Sequence, residues 1–153
     1  MEYGSIEREL HIDASPEVVY EVISSPEHLR EWWPDDAELD PVVGGTGRIT
    51  FGDPTSPDAA REALTVVEAD PPHRFAFRWV YDNAPASETN SLLVTFGLTP
   101  SGEGTLLRFS EAGFRERGWE AAVLEETYLD PARGWDHFLP RLVACAERLV
   151  ARP

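Results

Sequence analysis

The chain has 153 residues, of which 42% are hydrophobic, and a formal net charge of −15. This length predicts a single domain, residues 1–153, and the charge argues against nucleic acid or an anionic membrane surface as a partner. No apolar run reaches the roughly 18 residues of a membrane-spanning helix, the N-terminus lacks the pattern of a secretory signal, and a single cysteine cannot form an internal disulfide, so a cytoplasmic protein is expected.

The first predicted elements are one strand and two short helices. Alternation of apolar and polar residues over 6–12 indicates a half-buried strand. The pair Ser15-Pro16 is typical of a helix start, because serine caps the free N–H groups and proline suits the first turn. Pro26 ends that helix and begins a second one, which closes at the adjacent tryptophans Trp32 and Trp33.

Alternation and turn residues predict six further strands, at 39–43, 48–51, 61–69, 74–81, 91–99 and 105–111. The links between them are short, which favours a consecutive antiparallel meander. A period of two places a set of bulky apolar side chains on one face: Phe75, Phe77, Trp79, Tyr81, Leu92, Val94, Phe96, Leu98, Leu107 and Phe109. Arginines 74, 78 and 108 alternate onto the opposite face.

From Pro131 onward the period becomes helical. One apolar stripe contains Trp135, Phe138, Leu139, Leu142, Cys145, Ala146 and Leu149. A sheet that curves around this long helix, and is too wide for one helix to fill, would leave a cavity lined by the inner aromatic side chains. The segment 115–133 is predicted to add a helical lid over its mouth.

Five motifs follow one another along nearly the whole chain: Ile12-x-Ala14-x-Pro16-Glu17-x-Val19-Tyr20, Pro26-Glu27-x-Leu29-x-x-Trp32-Trp33, Gly44-Gly45-x-Gly47, Thr105 with Glu111-Ala-Gly113-Phe114, and Gly134-Trp135-x-x-x-Leu139-x-x-Leu142. In this order they resemble the SRPBCC superfamily (START-like, or Bet v 1-like), in its branch related to the activator of the heat-shock-protein-90 ATPase. The resemblance implies an α+β helix-grip fold: a curved antiparallel sheet of about six to seven strands around a long C-terminal helix, with two short helices after the first strand.

The same resemblance implies a cavity that holds small apolar molecules. Some members of the superfamily catalyse cyclisation or aromatisation, and many in this branch have no known reaction. The eukaryotic co-chaperones carry a second domain that contacts the chaperone, and this chain has no room for one. A co-chaperone-like interaction module is therefore the third expectation, after ligand binding and a cyclase or hydrolase activity.

The polar residues give few candidates for chemistry. None of His11, His28, His73 and His137 forms an i, i+4 pair with another histidine, and none sits at cysteine–histidine finger spacing, so no metal is expected. No nucleotide or other cofactor is expected either. Cys145 lies on the apolar stripe and is interpreted as an inert core thiol.

Glu111 follows Leu107 and Phe109 on the inward face. There a carboxyl group would lose its hydration, and the resulting rise in pKa would suit a general acid or base. The alternative is that the strand ends at Glu111 and the side chain reaches water or an arginine. His137, at the start of the final helix, is a second weak catalytic candidate and is more easily placed at the rim.

The predicted function is binding of a small hydrophobic or aromatic molecule, and a homodimer is left open. The candidate cavity residues are Trp32, Trp33, Phe51, Phe77, Trp79, Tyr81, Val94, Phe96, Leu107, Phe109, Trp135, Phe138, Leu139 and Leu142. The alternative for the aromatic ones is that they fill the core, since each buries about 150–250 Å².

Overall fold

A computed structural model describes residues 5–33, 36–51, 55, 57, 60–80, 91–112 and 121–151, without the side chains of 5, 51, 60–62, 79, 80, 91, 121–134 and 151. Within these residues the elements are β1 (Ser5–Ile12), α1 (Pro16–Ser24), α2 (Pro26–Trp32), β2 (Asp36–Leu39), β3 (Thr46–Phe51), β4 (Ala60–Asp70), β5 (Arg74–Val80), β6 (Ser91–Ser101), β7 (Gly104–Ala112) and α3 (Ala121–Ala151). This order confirms the predicted α+β helix-grip fold.

All seven of the described strands belong to one antiparallel sheet, in the order β1-β7-β6-β5-β4-β3-β2. The chain's first strand pairs with its last, and β2 and β1 form the two edges. Helix α3 packs against α1, α2 and β1, and α1 also contacts β5, β6 and β7. The apolar face of the sheet and the apolar stripe of α3 therefore share one core.

The two short helices begin as the sequence predicts. The Ser15 hydroxyl accepts a hydrogen bond from the backbone N–H of Val18, and proline occupies the first turn of each helix. The backbone N–H of Trp33 donates to the Leu29 carbonyl at 2.9 Å and closes α2. This hydrogen bond fixes the end of α2, and so it fixes the position from which Trp32 and Trp33 extend into the core.

The second strand differs from its prediction. Strand β2 spans Asp36–Leu39, whereas the sequence indicated 39–43. Val42 and Val43 are β-branched and apolar, yet they lie in the β2–β3 connection with 53% and 65% of their surface exposed. Gly44 has a φ of +83°, and a Cβ on Gly45 would collide with the Asp40 carbonyl oxygen, so the glycines set the turn there.

The final helix is longer than predicted. It starts at Ala121 rather than at residue 131 and continues through Pro131 and Pro140. Residues 121–133, expected as a separate lid, are the first part of α3, while 115–120 fall outside the described residues. In the described part of the chain, no helix has the length and apolar character needed to cross a membrane.

The predicted inward set of the central strands is confirmed wherever its side chains are described. Phe75, Phe77, Phe96 and Phe109 are at most 2% exposed. The same holds for the apolar residues beside them, Leu92, Val94 and Leu107. The inner face of the sheet is therefore a continuous apolar surface opposite the helices.

Candidate functional site

Five rings of the described residues contact one another in a closed sequence, which we name the aromatic circuit: Trp33, Trp135, Phe109, Phe96 and Phe77. The successive ring centroids are 5.1, 4.5, 5.4, 6.5 and 5.6 Å apart, the last value returning from Phe77 to Trp33. These are distances of favourable aromatic contact. The circuit joins the end of α2, the long helix and three neighbouring strands.

Trp32 holds the circuit in place from the side of the short helices. Its ring stacks on Trp33 at 5.9 Å and meets Phe96 edge-on at 6.4 Å. The indole N–H donates to the Val22 carbonyl at 2.9 Å, and the side chain is fully buried. Its one polar group is thus already paired with α1, which gives this ring a positioning role.

Glu111 brings a carboxyl group to the edge of the circuit. It lies on β7 opposite Ile6 of β1 and Val94 of β6, and none of its surface is exposed. The indole N–H of Trp135 donates to Glu111 Oε1 at 3.0 Å. The prediction that Glu111 faces inward is confirmed, and the alternative that it reaches bulk water is wrong. A carboxyl group in this position can accept a hydrogen bond from a guest or exchange a proton with it.

The remaining candidates divide by burial. Val94, Leu107, Leu139 and Leu142 are buried, and Phe138 is half-buried. His137 is exposed, with its ring 5.0 Å from that of Phe138. The side chains of Phe51 and Trp79, and Tyr81 as a whole, lie outside the described residues. That these residues line a ligand cavity stays a prediction.

Cys145 is the buried thiol that the sequence predicted. It is 1% exposed, and its Sγ donates to Glu31 Oε2 at 3.2 Å. Burial first, and then Glu31, raise the pKa of this thiol to about 11. The thiol is therefore protonated at neutral pH and is a poor nucleophile by itself.

An ion pair fastens α3 to the edge strand near the site. The Arg8 guanidinium donates to both carboxylate oxygens of Asp136, at 2.7 and 3.2 Å. This hydrogen bonding holds the pKa of Asp136 below its ordinary value. The folded pKa thus lies below the unfolded one, so the pair stabilises the fold above the ordinary pKa of aspartate and loses that effect as the pH falls through the folded value.

We expect Arg8→Gln to return the pKa of Asp136 toward its ordinary value, as measured by an NMR titration of the side-chain carboxyl. Because the two side chains are 33% and 56% exposed, the loss of stability at neutral pH should stay below about 1 kcal/mol. Arg108→Gln is the matched control, since Arg108 pairs with Glu9 instead. An Asp136 titration that does not move in Arg8→Gln would contradict the assignment.

With this geometry in place, the comparisons with known proteins decide the family. The family model described as "Activator of Hsp90 ATPase homolog 1-like protein" matches residues 13–147. The chain belongs to this family. The match begins just before α1 and ends within α3, so it includes the whole aromatic circuit and Glu111.

Solved structures share the fold of the chain. A protein of Mesorhizobium loti has a TM-score of 0.74 at 21% identity, over 94% of this chain and 97% of its own. The Aha1 dimer of Colwellia psychrerythraea has 0.72 at 22%, over 94% and 96%. A protein of Chromobacterium violaceum has 0.71 at 25%, over 94% and 97%. No curated protein is significantly similar to the chain.

Membership in the Hsp90-activator-like family confirms the resemblance read from the sequence motifs. It indicates a fold suited to ligand binding and specifies neither a ligand nor a reaction. The structural features that bear on function are the aromatic circuit and the buried Glu111–Trp135 pair.

Proposed function

We propose that the protein binds a small hydrophobic or aromatic molecule between the sheet and α3, and that one polar group of this molecule is directed at Glu111. The observation that carries the proposal is the buried carboxyl group of Glu111 at the edge of the aromatic circuit. Ligand pockets are typically apolar, with a few polar groups that fix the orientation of the guest. The circuit supplies the apolar wall, and Glu111 with Trp135 supplies the polar contact.

Glu111 is a fully buried carboxyl group, and Trp135 is one of its partners. Of the buried polar residues described, which are Ser24, Thr50, Thr105 and Glu111, it alone has a carboxyl group. Removing an ionisable group from water destabilises a protein unless partners compensate. A buried carboxyl group beside an apolar wall is a candidate for function, because ligand pockets combine apolar walls with a few polar groups.

The spacing of the rings indicates where a guest would lie. The Trp33–Trp135 and Trp135–Phe109 centroids are 5.1 and 4.5 Å apart. For a guest ring to fit between two of these rings, their centroids would have to be roughly twice one stacking distance apart. These spacings leave no room for a guest ring between them, so we propose that a guest contacts the outside of the circuit, beside Glu111.

The same carboxyl group supports a second candidate, an enzyme of the cyclase or hydrolase type. Glu111 would act as general acid or base toward a guest held against Trp135. The two candidates differ in one respect: a binder keeps its guest unchanged, whereas an enzyme converts it. Glu111→Gln separates the two candidates, because it keeps the shape of the side chain but removes the proton exchange that an enzyme would need to convert the guest.

A co-chaperone-like interaction module is the third candidate, favoured by the description of the family itself. The Colwellia psychrerythraea structure is that of a dimer, which motivates a homodimer for this chain too. Size-exclusion chromatography with light scattering measures the oligomeric state directly. A module of this kind would bind its partner irrespective of the residue at position 111.

Native mass spectrometry of the protein purified from its own host tests the binding proposal. We expect a co-purifying small apolar molecule, bound at least about tenfold more weakly by Glu111→Gln because its polar group loses its contact with the carboxyl group. Glu7→Gln, on an exposed position of β1, is the matched control and should bind like the wild type. A guest that binds Glu111→Gln with unchanged affinity would overturn the role of Glu111, and a protein that retains no apolar molecule would overturn the binding proposal.

A further inference from the structure

A second cluster of chemically active side chains lies away from the aromatic circuit, between α2 and α3. His28 and Glu31 are three positions apart on α2 and so share one face of that helix. Cys145 comes from the apolar stripe of α3. One potential ligand atom from each of the three residues lies within 4.8 Å of the other two. We propose that these three side chains bind a zinc ion.

The donor set matches zinc. Thiolate, imidazole and carboxylate are the three protein ligands that zinc takes, usually in a tetrahedral arrangement. With ordinary zinc–ligand bond lengths, the ligand atoms of such a site are roughly 3.3–3.8 Å apart. The Cys145 Sγ and Glu31 Oε2 are already 3.2 Å apart. The other two distances are at most 4.8 Å, so the ligand atoms must approach one another by up to about 1 Å. The 41%-exposed Glu31 side chain can contribute to this by changing rotamer.

The surroundings of both ring nitrogens of His28 fit a metal-binding histidine. Its Nε2 is 3.7 Å from a carboxylate oxygen of Glu21, and the side chain is 13% exposed. Its Nδ1 is buried and has no hydrogen-bond partner in the described part of the chain. Metal-binding histidines usually pair their second ring nitrogen with a carboxylate or carbonyl, which fixes the ring. The carboxylate of Glu21 can do so here, and Nδ1 is left to the metal.

Binding changes the bonding of the thiol. Without metal, the Cys145 Sγ–H donates to Glu31. On binding, this proton passes to solvent, the hydrogen bond is lost, and sulfur and carboxylate oxygen each form a bond to zinc. No oxidation or reduction takes place. Three protein ligands leave the fourth position to water, on the side where Glu31 meets solvent.

The positive charge of Arg148 disfavours a cation at this site, which gives a specific test of the proposal. Its Nη2 is 3.6 Å from the same Glu31 oxygen, and the side chain is 58% exposed. A zinc ion must displace this guanidinium because the two positive charges repel each other. Removing the charge with Arg148→Gln should therefore strengthen metal binding, whereas a cluster that only holds α2 against α3 should gain nothing.

Titration of the whole chain with Co²⁺, a spectroscopic substitute for zinc, tests the site. We expect one equivalent to give a thiolate-to-cobalt charge-transfer band and the strong visible bands of four-coordinate cobalt, with zinc abolishing both. Cys145→Ser should lose the charge-transfer band. His28→Gln should weaken binding by about tenfold or more, and Arg148→Gln should tighten it.

Two controls complete the design. His73→Gln changes an exposed turn histidine, and Glu27→Gln changes an exposed carboxylate of the same helix as Glu31; both should bind like the wild type. Because Cys145 is buried, its variant could be misfolded, and the test then depends on His28→Gln and Arg148→Gln, whose side chains reach solvent. No charge-transfer band in the wild type, or equal affinity in His28→Gln and His73→Gln, would overturn the zinc site. Neither result bears on the Glu111 proposal.

Discussion

Replacing Phe96 by alanine is expected to lower the free energy of unfolding by about 3–5 kcal/mol. Its ring is 1% exposed and contacts three others, those of Trp32, Phe77 and Phe109, at centroid distances of 6.4, 6.5 and 5.4 Å. The alanine would remove the buried area of the ring and leave a cavity whose other walls are rigid aromatic rings. Such walls collapse poorly, which places the loss at the upper part of the range.

Urea denaturation and thermal unfolding measure this loss. For a domain of this size, about 3–5 kcal/mol corresponds to a fall in Tm of roughly 6–20 °C. Val43→Ala is the control, because that valine is 65% exposed in a turn and should change stability by less than about 0.5 kcal/mol. A loss below about 1 kcal/mol for Phe96→Ala would mean that the circuit is loosely packed and is not part of the core.

The central strands were predictable because each has one largely solvent-exposed face and one buried face. In β5 and β7, Arg74 and Arg108 alternate with buried phenylalanines, and a period of two leaves one assignment of faces. The same alternation places Glu111 inward, as the structure has it, although the general rule that a carboxyl group seeks water favoured the alternative. Where tertiary packing enforces the period of two, the sequence is sufficient to assign the buried face of a strand.

The errors occur where local preference and tertiary context disagree. Val42 and Val43 have strong β propensity, but the chain must turn there, and the positive φ of Gly44 sets the turn. Pro131 marks a helix start in isolation, yet α3 runs through it. One missing N–H destabilises a helix by an amount that extensive packing of a 31-residue helix can offset.

The candidate sites were predictable only in part, since they join distant segments. The Trp135–Glu111 hydrogen bond spans 24 positions, and the Cys145–Glu31 contact spans 114. Spacing within one helix could not reveal the second cluster, because His28 and Glu31 are joined by a residue of another helix. The expectation of no metal rested on the spacing of the histidines from one another and from the cysteine along the chain, and such spacing does not show which ligands the fold brings together.

Trp135→Phe is expected to destabilise the protein by about 1–3 kcal/mol, because Glu111 Oε1 loses a buried donor while the apolar ring is largely retained. The double variant Trp135→Phe/Glu111→Leu should recover much of this loss. Breaking a buried polar pair by removing one partner leaves a desolvated group, whereas replacing both partners by apolar residues does not.

The comparison uses urea denaturation of the wild type, both single variants and the double variant, which gives the coupling between the two side chains as well. We expect a coupling of about 0.5–3 kcal/mol, and additive losses would show that the indole N–H and the carboxyl group act independently. If Glu111→Leu alone is as stable as the wild type or more stable, an apolar side chain stabilises the fold at least as well as the carboxyl group does. Its presence would then follow from function, as the ligand-binding proposal requires.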